Sequence, residues 1–149
     1  MALKERILED MKAAMRAKEA GKVRLATIRM VRSAIRQQEI DGKKELDDTG
    51  VIAVVAKEVK SRRESLADFK KGGREDLVAR TEEEIATLLP YLPQQLTEAE
   101  LKDLVAQAIQ EAGATSAKDM GKVMALLMPK VKGRADGKAV SAAVRALLS

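Results

Sequence analysis

The chain reads as an all-α protein, a four-helix N-terminal domain followed by a small three-helix tail domain. Three observations carry that reading. Apolar residues recur at three- and four-residue steps along most of the 149 residues, the spacing that lines one face of a helix. Gly and Pro punctuate the chain between these periodic runs, where helices stop. A capping box opens the tail, with Thr97 followed three residues later by Glu100, so that each side chain meets a free backbone N–H of the other.

The elements follow in order. Leu3, Ile7, Leu8, Met11 and Met15 share a face, and the first helix is expected to end near Gly21. Leu25, Ile28, Val31 and Ile35 extend a second from Val23 to about Ile40, with Asp41-Gly42 and Lys43-Lys44 as stop and polar loop. Val51-Ile52-Ala53-Val54-Val55 has the β-branched content of a strand. Yet Ile52, Val55, Val59, Leu66 and Phe69 keep helical spacing as far as Gly72-Gly73, so a long third helix is expected, with Asp48 as its N-cap. Leu77, Val78, Thr81, Ile85, Leu88 and Leu89 make a fourth, which must end near Leu89 because Pro90 disfavours helical geometry in the residue before it. Pro90-Tyr91-Leu92-Pro93 then reads as a linker, placing the domains at 1–92 and 93–149. In the tail, one helix runs from Thr97 to about Ala112 with Gly113 as its stop. A second, capped by Ser116, carries Met120, Val123, Met124 and Leu127 before Pro129, and a third holds Val140, Val144, Leu147 and Leu148.

Composition narrows the chemistry. With no Cys and no His, disulfides, thiolate chemistry and imidazole acid/base or metal-ligand chemistry are out of reach. Phe69 and Tyr91 are the only aromatics, too few for a base-stacking platform. The charged start Met1-Ala2-Leu3-Lys4-Glu5-Arg6 has no signal-peptide core, and no membrane-spanning run follows, so a cytoplasmic protein without membrane contact is expected. Glu82-Glu83-Glu84 fan around a helix and cannot converge on one ion; they read as acids in a helix's first turn. Asp41, Asp47 and Asp48 lack the alternating ligands of a calcium loop. Gly121-Lys122 lacks the preceding Gly, the following Ser/Thr and the strand of a P-loop. No cofactor, metal or nucleotide site is expected. The steps of four between Met120, Met124 and Met128 read as core filling.

Positive charge is concentrated. Between Gly121 and Lys138 stand Lys122, Lys130, Lys132, Arg134 and Lys138 against the single acid Asp136, a net +4 out of +5 for the whole chain. Lys130, Lys132 and Arg134 alternate with Val131, Gly133 and Ala135 in an expected loop where the backbone can approach a phosphate closely. The plainer reading is a solvated basic loop after a helix C-terminus, which favours cations. A second ridge, Arg29, Arg32 and Arg36, lies beside the apolar face of the second helix at steps of three and four. Lys57, Lys60, Arg62 and Arg63 add to it. Long basic stems flanking a helical core explain both sets without a ligand, and Arg62 falls almost on the apolar face.

Several blocks are specific in combination: Met11-Lys12, Arg29-Met30-Val31-Arg32, Tyr91-Leu92-Pro93, Asp119-Met120-Gly121-Lys122-Val123-Met124, and Met128-Pro129-Lys130-Val131-Lys132-Gly133-Arg134-Ala135-Asp136-Gly137. In that order they resemble the YqeY family over essentially the whole chain. The tail, about 94–149, is similar to the C-terminal domain of GatB, a subunit of the amidotransferase that amidates misacylated Glu-tRNA or Asp-tRNA. That resemblance implies an RNA-facing tail, with Lys122, Lys130, Lys132, Arg134 and Lys138 in the matching segment. The GatB catalytic domain has no counterpart here, so any activity inherited with the resemblance would be that of a carbon–nitrogen ligase using glutamine as amide donor. Three expectations follow: a non-catalytic adaptor contacting tRNA or another structured RNA, an accessory component working with amidotransferase subunits, or a purely protein-binding adaptor using the Arg29, Arg32 and Arg36 ridge. Shared domains do not fix which.

Overall fold

Helical periodicity is realised throughout. The computed structural model describes residues 1–148, and among them every regular element is helical. The chain divides into two compact units, Met1–Leu92 and Pro93–Ser149.

The first unit holds α1 (Leu3–Arg16), α2 (Lys22–Gly42), α3 (Asp48–Lys71) and α4 (Glu75–Leu88). Lys4 meets Glu39 and Met11 meets Arg32, so α1 and α2 run antiparallel. α1 stops at Arg16, earlier than expected, and a 3-10 turn over Lys18–Gly21 leads into α2. The reason is contact. A Cβ on Gly21 would stand 2.3 Å from the Ala14 carbonyl oxygen, so only glycine lets the turn fold back this closely. The N-cap of α3 is Asp47, whose carboxylate accepts from the Gly50 N–H at 2.9 Å. Asp48, expected in that role, lies one residue inside and accepts from the Leu3 N–H at 3.0 Å.

α3 settles the strand-or-helix question by burial. Val51, Val54, Val55 and Val59 all face the core, with Ile7, Ile28, Val31, Ile35, Ile85 and Leu88. Fully burying one such side chain stabilises by about 1.5–3 kcal/mol, more than the roughly 1 kcal/mol span of β-propensity. Thr27 and Thr81 enter the core because each hydroxyl donates to the carbonyl four residues back, Val23 and Leu77. α4 begins at Glu75, so its first-turn acids are Glu75 and Asp76. Glu82-Glu83-Glu84 therefore stand mid-helix, correcting their first-turn reading; Glu84 faces Arg62.

Pro90-Tyr91-Leu92-Pro93 is not an open linker. Leu89–Tyr91 forms a 3-10 turn, and Tyr91 is 4% exposed. Its hydroxyl donates to Asp10 at 2.5 Å, and the Arg6 guanidinium lies 5.0 Å from its ring centroid. Burial foremost, then the Asp10 carboxylate, pushes the phenol well above its ordinary value of 10.0. Tyr91 thus stays a protonated donor.

The second unit holds α5 (Glu98–Ala112), α6 (Met120–Val131) and α7 (Gly137–Leu148) around Leu101, Val105, Ala108, Val123, Leu127, Val131, Val140 and Val144. The Thr97–Glu100 capping box is formed in both directions. Ser116 makes no side-chain cap; it precedes a 3-10 turn, and α6 starts after Asp119. α6 also runs through Pro129 to Val131 instead of stopping before it. Val131 is buried, and its packing carries the helix past Pro129 although the proline forfeits one N–H bond to the carbonyl four residues back. Of the methionine stripe, Met120 and Met124 pack on this core, while Met128 is 41% exposed.

Candidate functional site

The basic segment of the second unit is built on a braced turn. Lys130 lies within the last turn of α6, not in a loop, and Lys132 follows as its C-cap. The Arg134 N–H donates to the Val131 carbonyl at 2.8 Å, and the Ala135 N–H to the same oxygen at 3.1 Å. Gly133 takes φ +74, the left-handed region that glycine enters freely. The approach to α5 holds the turn from outside. Gln95 donates to the Gly133 carbonyl at 2.7 Å, and the Leu96 N–H donates to the Arg134 carbonyl at 2.9 Å. Arg134 returns a hydrogen bond, its Nε donating to the Gln94 carbonyl at 3.1 Å. Asp136 precedes α7, where a carboxylate is favoured by the helix dipole, and its Oδ1 is buried without a hydrogen-bond partner.

The structure brings four of the five predicted basic residues into this stretch: Lys130, Lys132, Arg134 and Lys138. Lys122 is not with them. It stands eight residues before Lys130 on α6, about 12 Å along the axis, near Asp119. Thr115 N–H foremost and Lys122 more weakly hold the Asp119 carboxyl below its ordinary 3.8. Lys132 and Lys138 are exposed and have no acidic partner among the described residues. Lys130 reaches Glu111 at 3.7 Å with both side chains about half exposed. An exposed pair of that kind contributes about 0–1 kcal/mol, too little to hold the ammonium against a phosphate.

The first unit carries a second basic site. Arg29, Arg32 and Arg36 line one wall of an open cleft of about 610 Å³, with Lys4 and Leu8 of α1 opposite. The three arginines are exposed and have no acidic partner among the described residues; Arg32 donates to the Met11 sulfur at 3.1 Å. Lys4 is engaged, its Nζ 2.6 Å from Glu39 Oε2. That hydrogen bond foremost lowers the Glu39 carboxyl below 4.5 and raises the Lys4 ammonium above 10.5. Sequence reasoning placed the arginine ridge but missed Lys4 and Leu8, whose i, i+4 spacing on α1 was the available signal. Arg62 belongs to neither site. It is 8% exposed, with Nη1 3.4 Å from Glu58, Nε 3.7 Å from Glu84 and Nη2 3.6 Å from the Met30 sulfur. A further hollow of about 470 Å³ holds Arg6, Asp10, Arg24, Glu83 and Tyr91. Its charges offset one another, with Arg24 3.6 Å from Asp10.

The family model described as Yqey-like protein matches residues 4–148. The chain belongs to the YqeY family. Relatives share its sequence in part. Altered inheritance of mitochondria protein 41, mitochondrial, from Pyrenophora tritici-repentis is 34% identical over 134 residues, covering 87% of this chain and 71% of that protein. The proteins of the same name from Kluyveromyces lactis and Lachancea thermotolerans are 44% and 37% identical over 84 and 106 residues. Those matches cover 56% and 69% of this chain, and only 44% and 56% of the relatives' own lengths. The relatives are named as mitochondrial proteins, whereas the sequence alone led to the cytoplasm. No helix among the described residues is long and apolar enough to cross a membrane. Within this YqeY-family chain, the described residues hold no group of three or more acids placed to bind a metal ion.

Proposed function

We propose that the chain is a non-catalytic binding module whose second unit contacts tRNA or another structured RNA through backbone phosphates. The observation that carries this reading is the braced turn. Three hydrogen bonds between 94–96 and 133–134 fix the backbone from which Lys132 projects, with Lys130 and Lys138 on the helix ends either side. Preorganised cations lose less freedom on binding than cations on a mobile loop. Lysine and arginine neutralise phosphates without reading base identity, so selectivity would come from RNA shape. The similarity of the tail to the tRNA-holding domain of GatB supports the same reading. An aqueous compartment containing tRNA is all it needs, and both a cytoplasm and a mitochondrial matrix provide one.

The test is fluorescence anisotropy with labelled tRNA at about 50 mM salt, where phosphate contacts are strong. A variant carrying Lys130→Ala, Lys132→Ala and Lys138→Ala keeps Arg134, whose Nε holds the turn to Gln94. Binding by the parent and a loss of at least about tenfold in the variant are expected. Undetectable binding by the parent, or equal binding by both, would overturn the proposal.

A further inference from the structure

The arginine cleft of the first unit is not used by the RNA reading. We infer that it is a docking site for an acidic, amphipathic segment of a partner protein, with Arg29, Arg32 and Arg36 taking carboxylates and Leu8 meeting the apolar side chains between them.

Charge is the first argument. The cleft holds four cations, Lys4 and the three arginines, against Glu5 and Glu39. Glu39 is already committed, accepting from Lys4 at 2.6 Å and from the Leu46 N–H at 2.8 Å. A row of like charges at steps of three and four is unfavourable for the helix that carries it, and no acid among the described residues pairs with it. Arginine's planar fork matches a carboxylate in bidentate fashion.

Shape is the second. From Arg29 to Arg36 is seven residues, about 10 Å of helix, so the row spans two turns of a docked helix. Acids at i, i+3 or i+4, and i+7 on such a helix would meet the guanidiniums in turn, the groove mode of helix recognition. The apolar part of the lining decides between protein and nucleic acid. Leu8 and the buried Ile35 are aliphatic, a surface that apolar side chains cover and a sugar–phosphate backbone does not. No aromatic residue lines the cleft to stack a base.

The experiment uses the full chain and labelled helical peptides about four turns long, with Glu at three- and four-residue steps beside Leu, together with versions carrying Gln for Glu. The Glu peptides are expected to bind, and the Gln versions about tenfold more weakly or worse. Arg29→Ala/Arg32→Ala/Arg36→Ala should lose at least about tenfold with unchanged circular dichroism, since all three side chains are exposed. Leu8→Ala should lose a few-fold, and the Lys130/Lys132/Lys138 variant should bind as the parent does. The inference is overturned if no Glu peptide binds, or if Gln versions bind as well. It is also overturned if short-chain polyphosphate binds as tightly and Leu8→Ala has no effect, which would make the cleft a phosphate site. Sedimentation showing a dimer that the triple change dissolves would overturn it too, the occupant then being a second copy.

Discussion

Replacing Arg62 by Met tests how α3 and α4 are held together. The side chain is 10% exposed and lies between Glu58 and Glu84, which are 21% and 18% exposed. Met fills similar space but leaves two carboxylates with no cation between them. Breaking a fully buried pair costs about 3–5 kcal/mol; here water reaches roughly a fifth of each carboxylate, and we expect about 2–3 kcal/mol. For a unit of this size that lowers Tm by roughly 10–20 °C. Adding Glu58→Gln and Glu84→Gln removes the stranded charges and should restore most of the loss, because an ion cluster replaced as a whole is often near neutral. Thermal melts of the full chain, with hydrogen exchange on α3 and α4 amides, measure both variants. The reasoning fails if Arg62→Met melts within about 2 °C of the parent, or if the triple variant is no more stable than the single one.

Other substitutions probe separate links. Gly21→Ala drives a Cβ to 2.3 Å from the Ala14 carbonyl and should destabilise by about 2–3 kcal/mol, read as a lower urea midpoint with unchanged slope. Thr97→Ala removes the capping-box bond in which the Thr97 hydroxyl accepts from the Glu100 N–H at 3.1 Å, leaving the Glu100 carboxylate on the residue-97 N–H, and should cost about 1 kcal/mol, with faster exchange of the first-turn amides of α5. Glu39→Gln tests the Lys4 pair through pH. The folded carboxyl lies below 4.5, so its contribution is present above that value and is lost as pH falls through the folded pKa; the folded ammonium lies above 10.5, so its contribution is lost as pH rises through its own. Urea midpoints of parent and variant should therefore differ most between these limits and converge on either side.

The helices were legible because their faces repeat. The valines of α3 keep helical spacing, and burial of that stripe outweighs their preference for strands. Helix ends were less legible, since tertiary packing sets them: Val131 draws α6 past Pro129, and Gly21 packs against Ala14 to stop α1 short. Tyr91 read as linker because nothing local shows that Asp10 and Arg6, some eighty residues earlier, receive it. The basic tail was visible as composition, but its bracing by Gln94, Gln95 and Leu96 depends on hydrogen bonds across about forty residues. Likewise the arginine row was visible on α2 alone, while the cleft exists only because α1 returns Lys4 and Leu8 to its opposite side.

The slope of binding affinity against salt tests the central claim most directly, because it counts phosphates. Four tail cations engaging RNA should give log K against log salt a slope of about −3 for the parent, falling to about −1 when Lys130, Lys132 and Lys138 are removed. Equal slopes for the two proteins, or affinity indifferent to salt, would contradict it.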